Sequence, residues 1–226
     1  MTQGLLTEFG AVVDPSHSAI LVIDVQNDFC AAGGHTEVNL GKDVADCQAV
    51  VEPIERLVTA ARDAGAAVIW VKADYDRTYL SPPLHARQMA RGITTAYCVS
   101  GTEGADFYRV RPADGDLVIE KHRHSAFIGT DLDQILRDRG IRTLVFSGVQ
   151  THVCIESSLR DASARGYYVV VPDDCVGSFD RDLHDKTLRC VEMHFGDVVS
   201  AADLLALWQP GETLQACRRS CQENGP

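Results

Sequence analysis

The sequence predicts an α/β fold in which a mostly parallel sheet carries helices on both faces. Three observations lead to it. Short continuous apolar runs rich in Val, Ile and Leu recur along the 226 residues, the pattern of strands buried on both sides. Segments with apolar residues at helical spacing alternate with them, several closing on a glycine. The connections are mostly short, with no fixed-period repeat and no Gly/Ser- or Pro-rich linker, so residues 1–226 read as one domain.

Residues 18–24 (SAILVID) form the first strand and end on an acid. Helical spacing runs over 44–64, with Pro53 at a start or a kink and Gly65 as the C-terminal cap. Residues 67–72 (AVIWVK) are the second strand. The stretch from about 75 to 115 then breaks the rhythm, with Pro82, Pro83, Gly92, Gly101, Gly104 and Pro112. An insertion of that length in a compact domain is usually functional, so it is expected on the substrate side. Residues 117–120 (LVIE) are the third strand, 130–140 a helix capped by Thr130 or Asp131, and 143–149 (TLVFSGV) the fourth strand. A helix over 154–166 ends on Gly166, and 167–172 (YYVVVP) is the fifth strand. Helices follow at 181–195 and 201–208, with a weak sixth strand in DVVSA between them, and about 210–226 is a polar tail.

Charge narrows the partners. Lys and Arg number 21 against 32 Asp and Glu, a net charge of −11, which disfavours nucleic acid and anionic membrane surfaces. No 18-residue apolar run is present, and the first residues lack the basic and apolar regions of a secretory signal. The eight cysteines are scattered without a CxxC pair, so free thiols in a reducing cytoplasm are expected.

In open parallel sheets ligands bind beyond the carboxyl ends of the strands. Asp24 ends the first strand, Lys121 follows the third, and Cys154 opens the helix after the fourth. Taken singly, these are a turn cap, a solvated cation and a small buried thiol. Taken together, they are a nucleophile, a proton acceptor and a cation on one sheet edge. A helix N-terminus and a nearby ammonium are expected to favour thiolate. A carboxylate can take the thiol proton and return it to a leaving amine, and N–H groups at the helix start can bind an oxyanion. The chemistry is acyl transfer to Cys154 followed by hydrolysis of a thioester.

The segments SAILVIDVQNDFC at 18–30, the Lys121 strand end, and FSGVQTHVCIESSLRDASARGYYVVVPDDCVGS at 146–178 resemble the isochorismatase-like cysteine hydrolases, over roughly residues 15–208. The resemblance implies a three-layer α/β/α sandwich with a mostly parallel, Rossmann-like six-stranded sheet. It implies a triad of Asp24, Lys121 and Cys154, a cis peptide between Val149 and Gln150, and an oxyanion site at the N–H groups of Gln150 and Cys154. It also implies a homo-oligomer, dimer or tetramer.

Cys154 favours C–N hydrolysis over the vinyl-ether chemistry of isochorismatases proper, which resemble this pattern without the nucleophile. Nicotinamidases of the family carry Asp-x-His after the second strand; here Asp74 is followed by Asp76, and His85 stands alone, so no metal and no cofactor are expected. The segments at 28–44 and 131–149 look like biuret and ureidoacrylate hydrolases. A biuret- or triuret-like substrate is the first expectation, with ureidoacrylate or carbamoyl-sarcosine as the alternative. Phe29, Gln150, His152, Arg87, Gln88 and Arg91 are the candidate substrate contacts. Gln150 stands where a small residue is more usual, and its side chain faces either the pocket or a subunit contact. His122, Arg123 and His124 read as solvated cations, Cys30 as core, Cys217 and Cys221 as exposed thiols, and Asp173 and Asp174 as turn and cap residues.

Overall fold

The computed structural model describes residues 4–208. The seven strands are β1 (Ser18–Ile23), β2 (Ala67–Ala73), β3 (Leu117–Lys121), β4 (Thr143–Val149), β5 (Tyr168–Pro172), β6 (Val176–Gly177) and β7 (Asp197–Val199). They form one sheet in the order β3-β2-β1-β4-β5-β7, with β6 paired to the end of β4. Every pairing is parallel. The sheet has one strand more than the sequence predicts. Its extra member is two residues long, too short to leave a periodic signal.

The chain builds outward from β1 to β2 and β3, then crosses back to place β4 on the other side of β1. The order reverses between β1 and β4. The carboxyl ends of those two strands are therefore the switch point where a parallel sheet opens a crevice.

Among the described residues ten α-helices surround the sheet: α1 (Phe9–Val12), α2 (Asn27–Cys30), α3 (His35–Val38), α4 (Ala45–Ala49), α5 (Val51–Ala64), α6 (Pro82–Ala90), α7 (Leu132–Asp138), α8 (Glu156–Ala164), α9 (Arg181–His194) and α10 (Ala201–Trp208). Strand β1 is buried throughout and alternates between two cores. Ile20 and Val22 pack with Ile54, Leu57 and Val58 of α5 and Leu204 of α10. Leu21 and Ile23 pack with Leu132 and Leu136 of α7 and Leu159 of α8. These two cores on opposite faces of the sheet are the three-layer sandwich.

The predicted helix over 44–64 is two helices joined at Val50. Pro53 sits in the first turn of α5, where its missing N–H leaves no hydrogen bond unmade. Gly65 closes α5 in the left-handed conformation, at φ 81°. The segment 75–115 contains α6 and is pinned to the body at several points. Isolated bridges join Tyr75 to Tyr97 and Gln26 to Phe107. The buried Gln26 amide donates to the carbonyls of Ala73 and Ala105. The Asp28 carboxylate accepts the Cys98 N–H at 2.6 Å. The tail from about 210 to 226, with Cys217 and Cys221, lies outside the described residues.

Gly148 shows how tightly the switch point is packed. It has φ 113°, and a Cβ there would lie 2.0 Å from the Ile23 carbonyl oxygen. Gly115 has φ 92° and nothing within 4 Å of its would-be Cβ. Gly148→Ala is expected to lose more than about 3 kcal/mol of unfolding free energy in urea, from backbone strain plus a backbone clash. Gly115→Ala carries only the strain, about 1 kcal/mol. Equal losses would contradict this packing.

Candidate active site

Each reactive side chain is delivered by a strand end. Asp24 is the first residue past β1 and adopts φ 56°, a left-handed conformation that Asp tolerates better than most residues. Its N–H continues the ladder to the Val71 carbonyl, and its own carbonyl accepts from the Gln26 N–H, so the backbone turns at this residue. Lys121 is the last residue of β3. The alternation that buries Ile119 buries Lys121 on the same face. From β3 to β1 is two strand spacings, roughly 10 Å, a gap that the long lysine side chain can bridge. Cys154 lies in a π-type turn over Thr151–Ile155 that runs on into α8. The Val149–Gln150 peptide before it is cis. The N–H groups of Val153 and Ile155 both close on the Gln150 carbonyl. The Cys154 N–H thus belongs to the first turn of the helical segment, at its positive end.

The three groups meet. Lys121 Nζ is 2.7 Å from Asp24 Oδ2 and 3.4 Å from Cys154 Sγ, and Lys121 has no solvent exposure. An ammonium has three hydrogens. Four groups surround them: the Asp24 carboxylate, the Tyr75 hydroxyl at 3.3 Å, the Arg123 carbonyl at 3.1 Å and the Cys154 sulfur. The contact with Asp24 is the shortest and is an ion pair. A carboxylate has about four acceptor sites, so Asp24 keeps capacity for a proton in transit.

Burial opposes the Lys121 ammonium, but the neighbouring Asp24 carboxylate outweighs it and holds its pKa above the ordinary value. The thiol behaves differently from the sequence expectation. Burial first, and then the Asp24 charge, push Cys154 up to about 12 against the opposing pull of Lys121. The resting nucleophile is a thiol. Asp24 already supplies the negative charge that Lys121 neutralises, so a second one on sulfur is disfavoured.

The triad opens into a cavity of about 290 Å³ whose wall includes Asp24, Tyr75 and Cys154. A more open groove of about 610 Å³ beside α5 and α10 holds no thiol or imidazole. Of the residues singled out from sequence, Phe29, Gln150, Arg87, Gln88 and Arg91 line the triad cavity. His152 does not: its Nδ1 pairs with the Ser178 hydroxyl at 2.7 Å, and its ring meets Phe179 edge-on. The side chains after Lys121 are half-buried and engaged. His122 stacks on Tyr79 and bonds the Asp74 carbonyl, and Arg123 donates to two carbonyls. His124 lines the cavity beside the Tyr75 hydroxyl. Asp174 caps the start of α10 through the Ala201 N–H, and Cys30 is core.

The sequence reading misses Tyr75, His35, Thr36 and Tyr97. Tyr75 is the second residue past β2, one beyond Asp74, so a search of the first two residues past every strand finds it. Its hydroxyl is fully buried, 3.9 Å from Cys154 Sγ. Burial and the neighbouring Cys154 keep it well above the usual tyrosine range, hence neutral. His35 and Tyr97 stack at 3.8 Å as a flat wall, an arrangement between distant segments that carries no periodic signal.

One further group of side chains could receive a metal. Asp74, Glu120 and His122 bring ligand atoms within 4.8 Å of one another. Each already has a partner: Asp74 accepts the Asp76 N–H, Glu120 pairs with Lys72 at 3.0 Å, and His122 bonds a carbonyl.

A family profile described as an isochorismatase domain matches residues 18–203. The chain belongs to the isochorismatase family. It is 36% identical over 203 residues to the ureidoacrylate amidohydrolase RutB of Enterobacter sp. (strain 638), covering 84% of this chain and 88% of that one. An isochorismatase family protein from Desulfovibrio vulgaris superposes with a TM-score of 0.71 at 32% identity, covering 84% of this chain and 98% of that one. A cysteine hydrolase from Pseudomonas syringae pv. phaseolicola shares the fold, with a TM-score of 0.77 at 24% identity over 92% and 98% of the two chains. The protein is thus an isochorismatase-family hydrolase of carbon–nitrogen bonds other than peptide bonds. No helix among the described residues is long and apolar enough to cross a membrane.

The electrostatics give a direct expectation. In Asp24→Asn the thiolate becomes the buried counter-ion of Lys121, so the Cys154 pKa falls. Alkylation of Cys154 by iodoacetamide at mildly alkaline pH should accelerate, about tenfold for each unit of decrease, while hydrolytic turnover is lost. Unchanged or slower alkylation in a folded variant would contradict the assignment of Asp24 as the charge that holds the thiol protonated.

Proposed function

We propose that the protein is a cysteine amidohydrolase that cleaves a C–N bond of a small ureide or carbamoyl compound through a thioester on Cys154. Asp24 takes the thiol proton as Sγ attacks the scissile carbonyl carbon, and the oxyanion is met by N–H groups at the start of the Cys154 helix. Collapse of the tetrahedral adduct breaks the C–N bond, and Asp24 returns the proton to the departing nitrogen. A water molecule, deprotonated by Asp24, then attacks the thioester, and the expelled sulfur takes that proton back from Asp24, which restores the thiol and the carboxylate. Lys121 remains an ammonium throughout and balances whichever of Asp24 and Cys154 carries the negative charge.

The single observation that carries this reading is the buried contact of Lys121 with both Asp24 and Cys154 at the floor of the cavity. The cavity mouth favours a carboxylate on the far end of the substrate. Arg87 and Arg91 stand one helical turn apart, both exposed, both lining the cavity, and neither makes an ion pair among the described residues. A ureido acid of the ureidoacrylate kind fits that arrangement. The similarity to a protein named for ureidoacrylate points the same way. Biuret or triuret is the second reading, favoured by the flat His35–Tyr97 wall and by the buried Gln150 amide.

Ammonia release across ureidoacrylate, carbamoyl-sarcosine, biuret and triuret separates the two. If the arginines read a carboxylate, Arg87→Ala and Arg91→Ala should each raise KM for the acidic substrates about tenfold or more, with little change for biuret. Equal effects on acidic and neutral substrates would remove the case for a ureido acid. An absence of ammonia from all four would remove the ureide reading itself.

A further inference from the structure

Three residues that line the cavity carry buried polar atoms that the triad does not use. Gln150 is 6% exposed, and its side-chain orientation is fixed by its partners. Its Oε1 accepts the Phe179 N–H at 2.9 Å and lies 3.5 Å from the Cys47 thiol. An oxygen held this way forces the amide nitrogen to the other side. That nitrogen is buried and has no partner among the described residues. Two more buried side chains on the same cavity are in the same state. His35 Nδ1 and Thr36 Oγ1 are both without a partner among the described residues. His35 is held by its N–H bond to Asp28 and by stacking on Tyr97, and burial keeps its imidazole below the usual histidine range.

Each unsatisfied buried polar atom costs about 1–3 kcal/mol. Three of them on residues that line one cavity beside a nucleophile are better explained by a ligand than by packing. We infer that the Gln150 side-chain amide, seconded by His35 and Thr36, is a specificity determinant that donates to an acceptor oxygen on the arm of the substrate beyond the scissile carbonyl. The inference rests on reading this cavity as a ureide site and sharpens it. The substrates are ureides with a second carbonyl or carboxylate oxygen, and simple ureas are excluded because they leave the amide unpaired.

The substitution that isolates the donor is Gln150→Glu. It keeps an oxygen for the Phe179 N–H and replaces only the free NH₂, and Gln150→Ala serves as the second variant. Binding of biuret and of N-methylurea, which lacks the second carbonyl, is measured by calorimetry on the full chain carrying Cys154→Ser, with and without the change at Gln150. The protein with Gln150 should prefer biuret, and the preference should fall about tenfold or more in both variants. A preference that survives both substitutions, or no preference for biuret to begin with, overturns the inference. Binding is read separately from ammonia release. Gln150-dependent binding without turnover would sink the amidohydrolase reading alone, and turnover without Gln150 dependence would sink this inference alone.

Discussion

One lysine with no exposure to solvent holds the site together. Lys121 Nζ touches a carboxylate, a thiol, a tyrosine hydroxyl and a backbone carbonyl, each supplied by a different segment. Removing one partner of a buried ion pair typically costs about 3–5 kcal/mol, because the survivor is left uncompensated. The ammonium and Asp24 therefore require each other. The thiol, placed against both, stays protonated until a substrate gives the negative charge somewhere else to go. Nucleophile activation is then a proton transfer made when the carbonyl is attacked, with no free thiolate at rest to be oxidised or alkylated.

The sheet makes that meeting possible. Only where the strand order reverses, between β1 and β4, do two carboxyl ends leave a crevice deep enough for a small planar molecule. Asp24 and Cys154 lie on its two sides. Lys121 enters from the edge strand by the length of its side chain. Close packing maintains the arrangement: Gly148 gives β4 its approach to Ile23, and Gln26 and Asp28 tie the 75–115 segment over the pocket. The triad thus sits at rigid strand ends, while Arg87 and Arg91 of the cavity wall sit on a tethered insertion.

Much of this was legible in the sequence because it follows from period and position. Buried strands are continuous Val/Ile/Leu runs, and the residues just past them are candidates wherever the sheet is parallel. Asp24, Lys121 and Cys154 are found in that way. What was not legible depends on contacts between segments far apart. The direction of the Cys154 pKa shift is set first by burial and then by a carboxylate 130 positions earlier, and helix position alone suggests the opposite sign. His35 and Thr36 sit on a four-residue helix with no amphipathic pattern. His152, a neighbour of the nucleophile in sequence, turns to Ser178 because side chains on adjacent helical positions face different ways.

The most direct measurement is the mass of Cys154-containing peptide from enzyme quenched during turnover of a ureido substrate. The account predicts an acyl or carbamoyl adduct on Cys154 that appears with substrate and decays as it is consumed, and no adduct or ammonia from Cys154→Ala. A Cys154→Ala protein that releases ammonia at the normal rate, with no adduct on any thiol of the native enzyme, would contradict it.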